Sequence, residues 1–453
     1  MIMLFVYFVS AVAALIFGAI IARLSGKAKL QFYYNMAVLL LLSGIFVVML
    51  TSGFKGSFFG AVLLNQFSEL FMLVFTVAMI LVNTLAYDAG SYLDFAVLGN
   101  FALTGMYLVA FANSMVTILI GLELMTLPTA FMILFDRKRI EAAAKLFIIS
   151  AVSTAFFAFG LSVMLGGGGI MLSNYPQSVV MLFAAVIFVA AVGFDSSVFP
   201  FNLWVPDVYE GASSHVTAML GGINKKVGFA ALMQILLIVF ISYHSLFILV
   251  AALSVLTMFF GNIVALAQTN VKRMLAYSSI SQAGYILIGI AAATQYGAGA
   301  SIFQIMAHMF AFIGILAVVM LMEKKNRATI NDFIGLSSEN PIIAFSLAIF
   351  LLSFLGMPFT MGFIGKFLLF SSAVYAKLWW LALLGVINTA ISLYYYSKLI
   401  IATYTGKASM RRIRAGIPVM AVVVFCLIVI IVFGIYPQPV IAAAQSAASY
   451  LFR

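Results

Sequence analysis

Six ionisable side chains lie inside long apolar runs of the sequence: Glu123, Lys145, Asp195, Lys225, His308 and Lys366. Glu123 sits in ILIGLELMTLPTAF, Asp195 precedes Pro200 in AVGFDSSVFPFNLW, and Lys366 lies among the glycines of GFIGKF. Lys225 is followed by Lys226 in GGINKKVGFAAL, and His308 sits in QIMAHMFAF. A charge at the centre of a hydrocarbon layer costs about 2.5–3.5 kcal/mol on insertion scales, so each needs a use. The use these residue types share is proton exchange. Desolvation penalises the charged forms of lysines and carboxyls alike, and groups balanced in this way pass protons through bridging waters. Imidazole, with an unperturbed pKa near ~6.5, suits a relay. Adjacent helical residues point about 100° apart, so one of Lys225 and Lys226 is expected to face the bundle interior and the other a polar crevice or interface. Plainer uses compete with these. Glu123 could tie two helices together, although a glutamine would do that more cheaply. Asp195 could cap a broken helix, His308 could be a packing residue, and Lys145 and Lys398 could snorkel to a surface.

Other chemistries find no footing. The single cysteine, Cys426, lies in an apolar run, which leaves no disulfide framework, CxxC zinc site or iron–sulfur motif. The histidines, cysteine and carboxylates show no metal-ligand spacing. Gly166–Gly169 read as a loop rather than a phosphate cradle, and neither a P-loop nor a GxGxxG after a strand is present. No redox cofactor or metal is expected on this chain.

The elements that must position these residues are membrane helices. Of 453 residues, 65% are hydrophobic and 8% charged, against roughly 25% charged in soluble proteins. Apolar runs recur at about the 20 residues that cross a ~30 Å hydrocarbon core, and runs such as Met420–Tyr436 lack the alternation of barrel strands. The reading is an all-α membrane protein of about fourteen spans, forming one membrane domain over 1–453 with no extramembrane module. The spans run roughly over 2–22, 34–52, 63–86, 93–111, 114–134, 140–164, 178–200, 212–241, 245–267, 274–294, 299–322, 340–371, 378–403 and 416–436. The stretch Met1–Ala22 reads as a retained helix rather than a signal peptide.

Loops after odd-numbered spans hold Arg23, Lys27 and Lys29; Arg137, Lys138 and Arg139; Lys272 and Arg273; Lys324, Lys325 and Arg327; and Lys407, Arg411, Arg412 and Arg414. Loops after even-numbered spans hold only Lys55 and Lys377 as basic residues. Positive residues favour the cytoplasmic side, which places both termini outside. The net charge of +11 then reflects topology and contact with anionic lipid, not nucleic acid. Prolines interrupt the seventh and twelfth spans, at Pro200 and Pro358. Those two spans lie an odd number of crossings apart, so successive five-helix units would be inverted, a pattern that points to a transport site.

At these residues the chain resembles the antiporter-like membrane subunits of complex I, most closely the subunit N branch. The resemblance rests on GLELMTLPTAFMI, EAAAKLFIISAVSTAF, PFNLWVPDVYEGA, ALAQTNVKRMLAYSSISQAGY, LLSFLGMPFTMGFIGKF, NTAISLYYYSKLI and GIYPQPV, from about residue 120 to 440. The first three spans match in hydropathy only. It implies fourteen helices with inverted five-helix repeats at 93–241 and 245–403, flanked by 1–86 and 416–436, and a central polar axis. It implies that Glu123, Lys145, Lys225 and Lys366 are the family's proton-transfer residues of the fifth, sixth, eighth and twelfth spans, with His308 as a connecting relay. It also implies a proton-translocating subunit in a prokaryotic cell membrane, assembled with other membrane subunits. Quinone, flavin and iron–sulfur clusters would be held elsewhere in the assembly, and electrons supplied by NADH, deazaflavin, ferredoxin or hydrogen.

Three positions depart from the family pattern. Asp195 stands where a lysine pairs with the fifth-span glutamate, Asn202 replaces the usual histidine, and Ser213, Ser214 and His215 replace a PxP segment. Two carboxyls would then share a site, with Lys225 or Lys145 supplying the cation and Asp195 an added proton carrier. Rival readings are a subunit of a multi-subunit cation/proton antiporter or membrane-bound hydrogenase, and a passive membrane scaffold.

Overall fold

The computed structural model describes residues 2–53, 55–58, 60–135, 139–173, 175–323, 329–406 and 415–452, with side chains from residue 8 onward except that of Phe58. Helices begin where a short polar side chain can accept the orphan N–H groups of a first turn. Asn65 accepts from Phe67 and Ser68, Ser114 from Thr117, Asn270 from Lys272 and Arg273, Asn340 from Ile343, and Thr360 from Phe363. The elements in order are α1 (Ile2–Ser25), α2 (Ala28–Ser52), the hairpin β1 (Gly56–Phe58) and β2 (Val62–Leu64), α3 (Gln66–Ala89), α4 (Tyr92–Ala110), α5 (Met115–Leu134), α6 (Ile140–Gly167) and α7 (Val179–Ser196). Short helices α8 (Val205–Gly211) and α9 (Ser214–Met219) follow. The π-helical turn Leu220–Asn224 then leads into α10 (Lys225–Gln234), which ends in a second π segment, Ile235–Val239. Next come α11 (His244–Leu266), α12 (Val271–Ala291), α13 (Gln295–Glu323), α14 (Leu336–Glu339), α15 (Pro341–Leu355), α16 (Met361–Tyr375), α17 (Trp379–Tyr404), α18 (Ile417–Ile435) and α19 (Gln438–Ser449).

Twelve helical stretches among the described residues are long and apolar enough to cross a membrane. The stretches expected as the twelfth and thirteenth spans are not among these twelve. The twelfth expected span is two helices, α15 and α16, each 15 residues and too short alone. α17 has 26 residues, but its Asn388, Ser392, Ser397, Lys398 and tyrosines dilute its hydropathy. The first helix runs on to Ser25 rather than ending at 22, and the seventh stops at Ser196, before Pro200. The β1–β2 hairpin, α8 and α19 have no counterpart in the expected spans; each is too short or too alanine-rich to register as a crossing. Of the loop cations, Arg137, Lys138, Lys324, Lys325, Arg327, Lys407, Arg411, Arg412 and Arg414 lie outside the described residues.

The chain divides into two compact units. The first comprises Met1–Ser196, Ile223–Leu246 and Ser446–Arg453. In it α5 packs on both α4 and α6, α6 on α7, and α10 on α7, α4 and α5. α4 and α5 meet through glycines: a Cβ on Gly105 would stand 2.6 Å from the Gly121 carbonyl oxygen, and one on Gly121 2.8 Å from that of Gly105. Backbone against backbone fixes the height of Glu123, two residues beyond Gly121. The second unit comprises Ser197–Gly222 and Phe247–Gln445. Its core is α13, packed within that unit against α9, α12, α15, α16 and α18. Gly356, at φ +87°, ends α15 in the left-handed region that a side chain resists, so the chain turns away and restarts at Thr360.

Candidate functional site

In the first unit the two expected carboxyls converge on one helix. Glu123 is half-buried on α5, where Pro128 leaves the Leu124 carbonyl without its helical donor. The hydroxyl of Thr154 on α6 donates to Glu123 Oε1 and shares its proton with the Ser150 carbonyl at 2.9 Å. The preceding residue, Ser153, divides its proton between Asp195 Oδ2 at 3.1 Å and the Ala191 carbonyl at 2.9 Å. Consecutive residues of α6 thus each hold one carboxyl, Glu123 from α5 and Asp195 from α7. Lys145, nearer the start of α6, pairs with Glu141 at 2.6 Å, and 37% of its side chain is exposed.

Lys225 opens α10 directly after a π-helical turn, the local geometry by which helices re-aim side chains at functional sites. Lys225 and Lys226 are both buried, at 1% and 2% exposure, so neither faces an open crevice. Asn224, just before them, donates to Thr129 Oγ1 at 3.0 Å, which ties the start of α10 to α5 less than two turns beyond Glu123.

In the second unit the break between α15 and α16 is the organising feature. A helix end frees its last carbonyls, and here side chains from other helices take two of them. Gln282 of α12 donates to the Phe354 carbonyl at 3.1 Å, and Lys366 of α16 donates to the Leu355 carbonyl at 3.1 Å. The negative end of α15 suits an ammonium. Lys366 is 3% exposed, lies 4.4 Å from the centroid of the Tyr285 ring, and reaches Thr389 Oγ1 at 3.5 Å. Thr389 in turn meets the Tyr285 hydroxyl at 3.1 Å. Gln304 of α13 donates to Gln282 at 3.1 Å, and one turn on His308 stacks flat on Phe354, with centroids 4.8 Å apart and planes 2° apart. Lys366 and His308 therefore meet the same helix end, one through a carbonyl and the other through a ring.

The carboxylates of PFNLWVPDVYEGA have a structural task. Asp207 and Glu210 each lie 2.8 Å from Arg273 Nη1, which pins α8 to the start of α12. Lys272 donates to Glu323 at 3.0 Å and to the Ala212 carbonyl at 2.5 Å, and Ser214 also donates to Glu323. Lys398 is exposed. The site residues not anticipated from sequence are Ser153, Thr154, Asn224, Thr129, Gln282, Gln304, Tyr285 and Thr389. The available signal was polar residues recurring every three or four positions within an apolar span, as in Ser278, Gln282 and Tyr285.

Comparison with known proteins gives a consistent result. The family model described as NADH:quinone oxidoreductase/Mrp antiporter, TM, matches residues 112–392. An NADH-quinone oxidoreductase subunit N of Moorella thermoacetica is 34% identical over 423 residues, covering 88% of each chain. An F(420)H(2) dehydrogenase subunit N of Methanosarcina mazei is 34% identical over 422 residues, covering 86% of this chain and 84% of that one. Among solved structures, a chain of respiratory complex I from Thermus thermophilus with bound aureothin superposes with a TM-score of 0.85 at 25% identity, over 97% of this chain and 99% of the other.

Proposed function

Because the chain belongs to the NADH:quinone oxidoreductase/Mrp antiporter family of membrane subunits, we propose that it is the subunit N of a complex I-like oxidoreductase and moves protons while other subunits carry the electrons. Flavin, iron–sulfur clusters and quinone then belong to those partners. The observation that carries the reading is Lys366: a lysine 3% exposed inside an apolar bundle, held by a carbonyl that exists as an acceptor only because a helix is broken there.

In this reading Glu123 is the gating carboxyl and Asp195 a second carrier beside it, each oriented by its α6 hydroxyl. Lys225 is the central relay, His308 a connecting relay and Lys366 the exit-side relay, with Lys225 or Lys145 supplying the cation that faces Glu123. With the α15–α16 pair taken as one interrupted crossing and α17 as another, the twelve spans become fourteen. The stretches 93–241 and 245–403 are then inverted five-helix repeats, with both termini on the outer side of a prokaryotic cell membrane. The interruptions after Ser196 and at Gly356 support that pairing.

Lys366→Ala in the assembled complex, reconstituted in sealed vesicles, tests the reading. Protons moved per electron pair are expected to fall, and an unchanged ratio rejects the role of Lys366. Gentle purification from native membranes separates the two branches of the family. Co-purifying iron–sulfur proteins with quinone reduction support the oxidoreductase, whereas a redox-silent assembly makes this an antiporter subunit.

A further inference from the structure

A second line of buried polar groups runs through α1–α4, outside the helices that carry the proposed relay. It starts at Glu69, in the first turns of α3. Glu69 is 0% exposed, and neither carboxylate oxygen has a hydrogen-bond partner among the described residues. Thr76 and Asn83 follow at intervals of seven along α3, a spacing that drifts only about 20° per step and keeps all three on one face. At 1.5 Å per residue, Glu69 and Asn83 stand roughly 21 Å apart along the axis, most of the thickness of a hydrocarbon core.

Neighbouring helices extend the line. Thr76 meets the Tyr107 hydroxyl of α4 at 2.6 Å, with both side chains buried. Asn100, seven residues before Tyr107 on the same face of α4, donates to Asn35 of α2 at 3.0 Å and to the Leu15 carbonyl of α1 at 3.0 Å. Gln31, one turn from Asn35, donates to the Ala19 carbonyl at 3.2 Å. Asn83 Oδ1, Asn100 Oδ1 and Gln31 Oε1 are each buried without a partner among the described residues. Buried polar atoms of this kind are ordinarily satisfied by internal water.

Amides and hydroxyls alone would read as clamps between helices. Glu69 does not fit that account, because its carboxylate joins no other helix among the described residues and a glutamine would be cheaper to bury. What a carboxyl adds is the capacity to bind and release a proton. We propose that Glu69 is a proton-binding site at the head of a hydrated polar file through α1–α4, giving the subunit a second route for protons beside the one proposed above. The file links Glu69 through the Thr76–Tyr107 hydroxyl pair to the Asn83 and Asn100–Asn35 amides. The inference rests on the proton-translocating reading of the chain.

The test uses the assembled complex in sealed vesicles, with Glu69→Gln, Tyr107→Phe and Lys366→Ala compared for protons moved per electron pair. Glu69→Gln keeps shape and polarity, so a structural role leaves it at the wild-type ratio, whereas the proposal expects a loss. Tyr107→Phe removes one hydroxyl of the file with Glu69 in place. It is expected to lower the same ratio, and it decides the matter should Glu69→Gln fail to assemble. Wild-type ratios for Glu69→Gln and Tyr107→Phe alongside a loss in Lys366→Ala overturn the file and leave the function standing. Wild-type ratios in all three overturn both.

Discussion

Replacing Thr154 by valine keeps the branched shape of the side chain and removes the hydroxyl that donates to Glu123. The accompanying back-bond to the Ser150 carbonyl is local, and its loss costs the helix little. A hydrogen bond to a charged acceptor contributes about 1.5–3 kcal/mol. At 1.4 kcal/mol per factor of ten, that is roughly 10- to 150-fold in the equilibrium holding Glu123 against α6. Ser153 and its bond to Asp195 remain, so the joint between α6 and α7 survives and the subunit should assemble. The assay is quinone reduction and internal acidification followed together in sealed vesicles. Thr154→Val is expected to lower protons moved per electron pair with quinone reduction retained, and Thr154→Ser to behave as wild type. A wild-type ratio in Thr154→Val, alongside a lowered ratio in Glu123→Gln, would refute the idea that α6 positions the carboxyl.

Two further substitutions separate carriers from scaffold. Asp195→Asn still offers Ser153 an acceptor, so the subunit should assemble, while proton movement should fall; intact pumping removes Asp195 from the relay. Gly121→Leu would drive a side chain into the Gly105 carbonyl, 2.8 Å from where its Cβ would stand. Overpacking of that kind costs about 1–3 kcal/mol or more; it should appear as reduced assembly or a lower melting temperature in detergent, and a normal yield would mean that the α4–α5 seam can open.

The helices were legible where apolar length and capping agreed. The spans read at 93–111, 114–134 and 378–403 correspond to α4, α5 and α17 within a residue or so at each end. Hydropathy could locate Pro200 but not the earlier stop at Ser196, nor α8, whose hold on the structure is the pairing of Asp207 and Glu210 with Arg273, more than sixty residues away. The same holds at the site. Glu123, Asp195 and Lys366 stood out because a charge is conspicuous in an apolar run. Ser153 and Thr154 did not, because serine and threonine are common in spans and usually bond to their own helix. Gln282 became significant only once α15 was seen to end at Leu355 and leave a carbonyl within its reach.

The Leu355 carbonyl has a consequence for how often Lys366 can change charge. An ammonium has three N–H donors; the neutral amine it becomes on losing a proton still has two, together with a lone pair. The bond to Leu355 therefore survives deprotonation, whereas the new lone pair meets a Thr389 hydroxyl that would have to turn its proton from the Gly385 carbonyl, 3.1 Å away, to donate to it. The Leu355 contact is common to both charge states, while the approach to the Tyr285 ring favours the ammonium alone. In the proposed relay Lys366 thereby keeps one anchor on the broken helix through each change of charge.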